Sequence, residues 1–75
     1  MFAEHSSVVL LADVPELGLV TGDVGVVVHV YRNGGAYEVE FVRYDGSSSG
    51  TVALASDQLR EAGARDVPHT REVAA

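Results

Sequence analysis

Strict alternation of apolar and polar side chains is the clearest signal in this chain. In Ala36 to Tyr44, Tyr37, Val39 and Phe41 fall on one side and Glu38 and Glu40 on the other, the period of a half-buried β-strand. Upstream, Val24 to Tyr31 is a Val-rich strand. Between the two lies Asn33-Gly34, the dipeptide favoured by type I′ hairpin turns because both central residues need positive φ. A turn centred there pairs Val30 with Tyr37, Val28 with Val39 and Val26 with Phe41 on the apolar side. It pairs His29 with Glu38 and Val27 with Glu40 on the other. A Gly34-Gly35 turn would change partners without changing faces. A one-residue slip would set Glu38 and Glu40 against the inward valines, which a buried face forbids.

Other elements follow from shorter patterns. Val8-Val9-Leu10-Leu11, bounded by Ser6-Ser7 and Asp13, reads as a first buried strand. Pro15 and Gly18 punctuate the excursion from Ala12 to Thr21, whose Leu17, Leu19 and Val20 are too apolar for a solvated loop and are expected to fold back as a lid. Gly22-Asp23 turns the chain into the long strand. Asp45-Gly46-Ser47-Ser48-Ser49-Gly50 is expected as a flexible turn, and Thr51 to Ala55 as a fourth strand with Val52 and Leu54 inward. Ser56-Asp57-Gln58-Leu59 predicts one 3₁₀ turn capped by the Ser56 hydroxyl, with Leu59 to Ala62 as a closing strand. The expected organisation is a lead-in over 1–7, one domain over 8–62 and a flexible tail over 63–75.

Five short strands, a long first loop and a 3₁₀ turn before the last strand predict an all-β fold, a small SH3-like barrel. An open meander is the alternative. The predicted core joins Val26, Val28, Val30, Tyr37, Val39, Phe41, Val52 and Leu54. A 75-residue chain supports one domain, and without cysteine its core rests on apolar packing alone.

Charge then narrows function. Eleven acidic residues against five arginines and no lysine give a net charge of −6. Phosphate contacts supply most nucleic-acid affinity, so this balance argues against a DNA or RNA partner and favours a basic protein surface. No segment approaches the ~20 apolar residues of a membrane span, and the start lacks a basic n-region; the expected location is the cytoplasm.

The runs Val8-Val9-Leu10-Leu11, Asp13-Val14-Pro15-Glu16-Leu17-Gly18-Leu19, Gly22-Asp23-Val24-Gly25-Val26-Val27 and Tyr37-Glu38-Val39-Glu40-Phe41 resemble a family of small bacterial proteins catalogued as a domain of unknown function. Its pattern is D-x-P-E-x-G-L-x-x-G-D-x-G-x-V-V followed by Y-x-V-E-F. The resemblance covers about residues 8 to 60, and departs from the pattern at Thr21 and in the Arg-containing tail after Gly63. It transfers no catalytic residue. Members resemble stand-alone proteins that partner a neighbouring gene product, such as a toxin or an enzyme subunit. A looser similarity links the Gly-Asp-x-Gly-x-Val turn to KOW-type modules, and the fold to the SH3-like β subunit of nitrile hydratase; this is analogy of fold.

Candidate chemistry is sparse. Gly22-Asp23-Val24-Gly25 lacks the flanking helices of a backbone-clamping G-x-x-G loop and the lysine of a phosphate loop, so its glycines read as turn and strand-bending positions. His29 has no nucleophile or further ligand nearby in sequence and reads as a cross-strand partner of Glu38 or Glu40; with both glutamates it could hold a metal only at an oligomer interface. No nucleophile–base spacing and no cofactor motif is present, so an enzyme is not expected. Glu38 and Glu40 form an acidic outer face suited to a basic partner. Val9, Val27 and Tyr31 are expected on an apolar outer surface that either the first loop (Leu17, Leu19) and the 3₁₀ turn (Leu59) cover or a partner uses, including a second copy of the chain. The resulting expectation is a non-catalytic protein-interaction module, antitoxin- or immunity-like or an accessory subunit. Its partner-binding residues are Glu38, Glu40, Val27, His29, Tyr31 and Val9, and a KOW-like nucleic-acid-associated module is the alternative.

Overall fold

A computed structural model describes residues 1–72. The chain forms five antiparallel strands: β1 (Ser7–Leu10), β2 (Val24–Tyr31), β3 (Ala36–Val42), β4 (Ser48–Ala55) and β5 (Leu59–Glu61). Short 3₁₀ turns lie at Pro15–Leu17 and, before β5, at Ser56–Gln58. All five strands join one sheet in the order β4-β3-β2-β1-β5. The fold is all-β, as the alternation predicts. The last strand returns to pair with the first, through Val8 with Glu61, Val9 with Arg60 and Leu10 with Leu59, so the chain is not a simple meander. No ladder joins β4 to β5 among the described residues, and the sheet is open.

One face of the sheet supplies the core. Val8 and Leu10 come from β1, Val27 from β2, Tyr37, Val39 and Phe41 from β3, Leu54 from β4 and Leu59 from β5, with Val14 and Leu19 from the first loop. Phe2, Val30 and Val52 pack partly against them. Among the described residues no helical layer covers this face, so the sheet and the first loop bury it themselves, consistent with a small barrel-like fold. Tyr37 is the largest fully buried side chain. Its hydroxyl accepts a hydrogen bond from the Phe2 backbone N–H at 3.0 Å, and the Phe2 ring lies 4.9 Å from its own.

The hairpin turn forms where Asn33-Gly34 predicts it. Asn33 (φ 53°, ψ 36°) and Gly34 (φ 98°) both take positive φ, and the Gly35 amide donates to the Arg32 carbonyl at 3.2 Å. Next to the turn the expected register holds, with Val30 opposite Tyr37 and His29 opposite Glu38. Beyond His29 it changes. Val27, not Val28, sits opposite Val39, and Val26, not Val27, sits opposite Glu40. One extra residue, Val28, is accommodated as a β-bulge between Val27 and His29. The bulge inverts the faces of the strand's first half. Val27 is fully buried, whereas Val26 and Val28, expected in the core, are only half-buried.

Three smaller expectations are also corrected. Strand β4 begins at Ser48 rather than Thr51, because Val42 pairs with Ser48 after a second register shift, so the β3–β4 turn is shorter than the polar run suggests. The 3₁₀ turn before β5 is not capped by the Ser56 hydroxyl; the Gln58 side chain accepts the Ala55 N–H at 2.9 Å instead. In the first loop Val14 and Leu19 pair and are buried, while Leu17 is exposed. The 3₁₀ turn that starts at Pro15 presents Leu17 outward.

Residues after Gly63, expected as a mobile tail, carry no regular secondary structure up to Glu72. They do make defined contacts. Asp66 pairs with Arg60 at 2.9 Å, and His69 and Arg71 both reach Asp23 in the turn that precedes β2. The final expected tail positions, 73–75, lie outside the described residues. No helix among the described residues is long and apolar enough to cross a membrane.

Candidate functional site

The outer face of β2, β3 and β4 is built from the side chains that the pleat turns away from the core. Strand β3 contributes Ala36, Glu38 and Glu40, and β2 contributes Tyr31 and His29 beyond the bulge and Val26 before it. Strand β4 contributes Ala55, Ala53 and Thr51, which pair with Ala36, Glu38 and Glu40. Both glutamates therefore occupy the middle strand of this face, as the alternation predicts.

Glu38 is the organising residue. The Tyr31 hydroxyl donates to its Oε1 at 2.9 Å, and His29 stacks edge-on against Tyr31 with ring centres 4.5 Å apart. Hydrogen bonds from the Thr51 and Tyr31 side chains hold the Glu38 carboxyl below its ordinary pKa, with a smaller contribution from His29. The same Glu38 contact raises the pKa of Tyr31. These donors fix the carboxylate in place, but Thr51 and Tyr31 bring no positive charge. Among the described residues no ion pair uses Glu38 or Glu40.

Of the sequence-predicted residues, the structure gathers Glu38, Glu40, His29 and Tyr31 on this face and removes two. Val27 is fully buried in the core because of the bulge. Val9 does face away from the core cluster, as expected, yet only 7% of it is exposed. It lines a hollow with Ala62, Asp66, Val67 and Pro68, so the C-terminal segment, rather than the first loop, walls it in. Neither valine can belong to an exposed partner-binding surface. Thr51 was missed in sequence because its role depends on the β3–β4 register.

A second feature was also beyond sequence reasoning. Asp23 accepts hydrogen bonds from the Val20 N–H at 2.9 Å, from Arg71 Nε at 3.0 Å and from Arg71 Nη2, while His69 Nε2 lies 3.1 Å away. Arg71 also donates to the Gly18 carbonyl at 2.7 Å. Burial alone would raise the Asp23 pKa, but the Arg71 and Val20 hydrogen bonds, the Arg71 charge and His69 together hold it lowered. The segment latched in this way leaves a groove between itself and the start of β2, floored by Leu19, Val24, Phe41 and Val42 and flanked by Tyr44. Forty-six and forty-eight residues separate His69 and Arg71 from Asp23, so no local motif announces the contact.

The family model described as a domain of unknown function (DUF4926) matches residues 4–61. The chain belongs to that family. The DUF4926 match spans all five strands and ends at the last residue of β5, leaving the latching segment outside it. It includes every residue of the acidic outer face. No curated protein and no solved structure matches the chain.

Proposed function

We propose that this DUF4926 chain is a non-catalytic protein-interaction module that acts in the cytoplasm. It captures a basic protein partner on the outer face of β2–β4, occluding the partner's surface in the manner of an antitoxin, an immunity protein or an accessory subunit. The observation that carries this reading is the pair Glu38 and Glu40, on one face of the central strand and in no ion pair among the described residues. Glu38 is oriented by the neutral donors Thr51 and Tyr31. An arrangement that served stability alone would gain more by placing one of the five arginines there. Tyr31 and the small residues Ala36, Ala53 and Ala55 add a flat, partly apolar setting for contact.

Glu38→Lys/Glu40→Lys tests the reading, with an oligoarginine peptide and a short DNA duplex titrated separately against salt. The wild type binds the peptide with a steep salt dependence, and the double variant does not bind it. Circular dichroism of the variant stays that of the wild type, because both side chains project outward. Tight wild-type binding to the duplex at physiological salt, strengthened by the reversal, would instead identify a KOW-like nucleic-acid module.

A further inference from the structure

The two ends of the open sheet differ in how they meet solvent. At one end β5 is three residues long and carries Arg60 and Glu61, the short, charged form that discourages further pairing. At the other end β4 has eight residues, Ser48 to Ala55, with no charge and no proline, and among the described residues β3 is its only ladder partner. An edge of that length and neutrality is a template for another strand.

The unpaired groups can be identified. The Ala55 amide points away from β3, since it donates to the Gln58 side chain rather than to the ladder. The two-residue period of a strand sends the amides and carbonyls of Ala53 and Thr51 the same way. On the outer face β4 presents Thr51, Ala53 and Ala55 beside Glu40, Glu38 and Ala36. These side chains are too short to screen the glutamates from a strand added beyond β4. A long cationic side chain on that strand could lie across Ala53 or Thr51 and reach Glu38 or Glu40. On the inner face the new strand would meet Val52 and Leu54, and Val52 is only half-buried. Outward cations and inward apolar residues at alternate positions therefore suit this edge.

We infer that β4 is a strand-addition site for an extended partner segment in which arginine or lysine alternates with apolar residues. The main-chain groups of Thr51 and Ala53 supply its ladder, and Glu38 and Glu40 select its charge. The inference rests on the proposed capture of a basic partner and names the mode of capture. A second copy of this chain is the poorer occupant, because pairing β4 with β4 would bring two molecules of charge −6 together.

The probe is the peptide acetyl-Arg-Val-Arg-Val-Arg-Val-amide, with its Glu-for-Arg counterpart as control, added to the full chain and followed by residue-resolved amide hydrogen exchange. The basic peptide slows exchange at Thr51 and Ala53 by roughly tenfold or more, and the acidic peptide does not. Ala53→Pro removes one of the outward donors without touching the β3 ladder, and abolishes this protection and binding while the β2–β3 amides stay protected. Glu38→Gln/Glu40→Gln weakens binding by roughly three- to tenfold. Charge-sensitive peptide binding that leaves Thr51 and Ala53 unprotected and is indifferent to Ala53→Pro would overturn strand addition but spare the acidic docking face. Absence of charge-sensitive binding in every variant would remove both. Protection of the same amides by concentration alone, with dimers by light scattering, would assign the edge to a second copy and overturn the inference.

Discussion

Gly25 shows how tightly single residues are specified. It is buried where β2 crosses β3, and a Cβ there would stand 2.5 Å from Val39 Cγ1 and 3.0 Å from both the Glu40 carbonyl oxygen and a Phe41 ring carbon. Backbone cannot yield as a side chain can, so Gly25→Ala should destabilise the fold by about 1–3 kcal/mol in urea unfolding. Tyr37→Phe keeps the ring in the core but strands the Phe2 amide, at a cost of about 1 kcal/mol. Asp66 gives a pH signature. Hydrogen bonds from Arg60 and from the Gly63 amide, aided by the Arg60 charge, lower its pKa from 3.8 to about 2. The folded chain thus binds this proton more weakly than the unfolded chain does. The contribution is complete above the unfolded value near 3.8 and fades as pH falls through about 2. Asp66→Asn should therefore narrow the drop in thermal midpoint between about pH 5 and about pH 2. A drop equal to the wild type's would show that the contact does not persist in solution.

At the scale of elements, the β2–β3 hairpin divides into a half the sequence makes legible and a half it does not. From the turn to His29 the polar residues His29, Glu38 and Glu40 mark one face, so pattern and structure agree. Upstream, Val24-Gly25-Val26-Val27-Val28 contains no polar side chain. Nothing in it records which valines face inward, so the bulge at Val28 leaves no trace in composition. The acidic face was readable for the same reason that the bulge was not: charge marks phase, and valine does not. The bulge accordingly moves the larger cost of truncation from Val28, expected in the core, to Val27. Val27→Ala removes methyls from the closed core and should cost about 2 kcal/mol, whereas Val28→Ala, at the half-buried bulge, should cost less than about 1 kcal/mol. Equal losses in denaturant titrations would restore the unbroken register.

For the whole molecule, the C-terminal segment and the sheet form one connected structure. The segment latched at Asp23 shares the lining of a hollow with Val9 and Val24, on the face that β1 turns away from the core. Arg71→Ala should release it. Amide order parameters by ¹⁵N relaxation over 67–72 should then fall below about 0.6, the range of mobile chain, while those of β2 and β3 stay near 0.85. Order that survives the substitution would mean that the ion pair is not what holds the segment.

The pairing of β1 with β5 also bears on how the molecule is made. Ser7–Leu10 finds its second neighbour, Leu59–Glu61, about fifty residues further along the chain, and that loop must close before its contacts repay the entropy. Until the short, charged β5 docks, β1 is an open edge displaying Val8 and Leu10, which the folded chain buries completely. The folding chain is therefore most prone to misassociate in the interval before β5 docks.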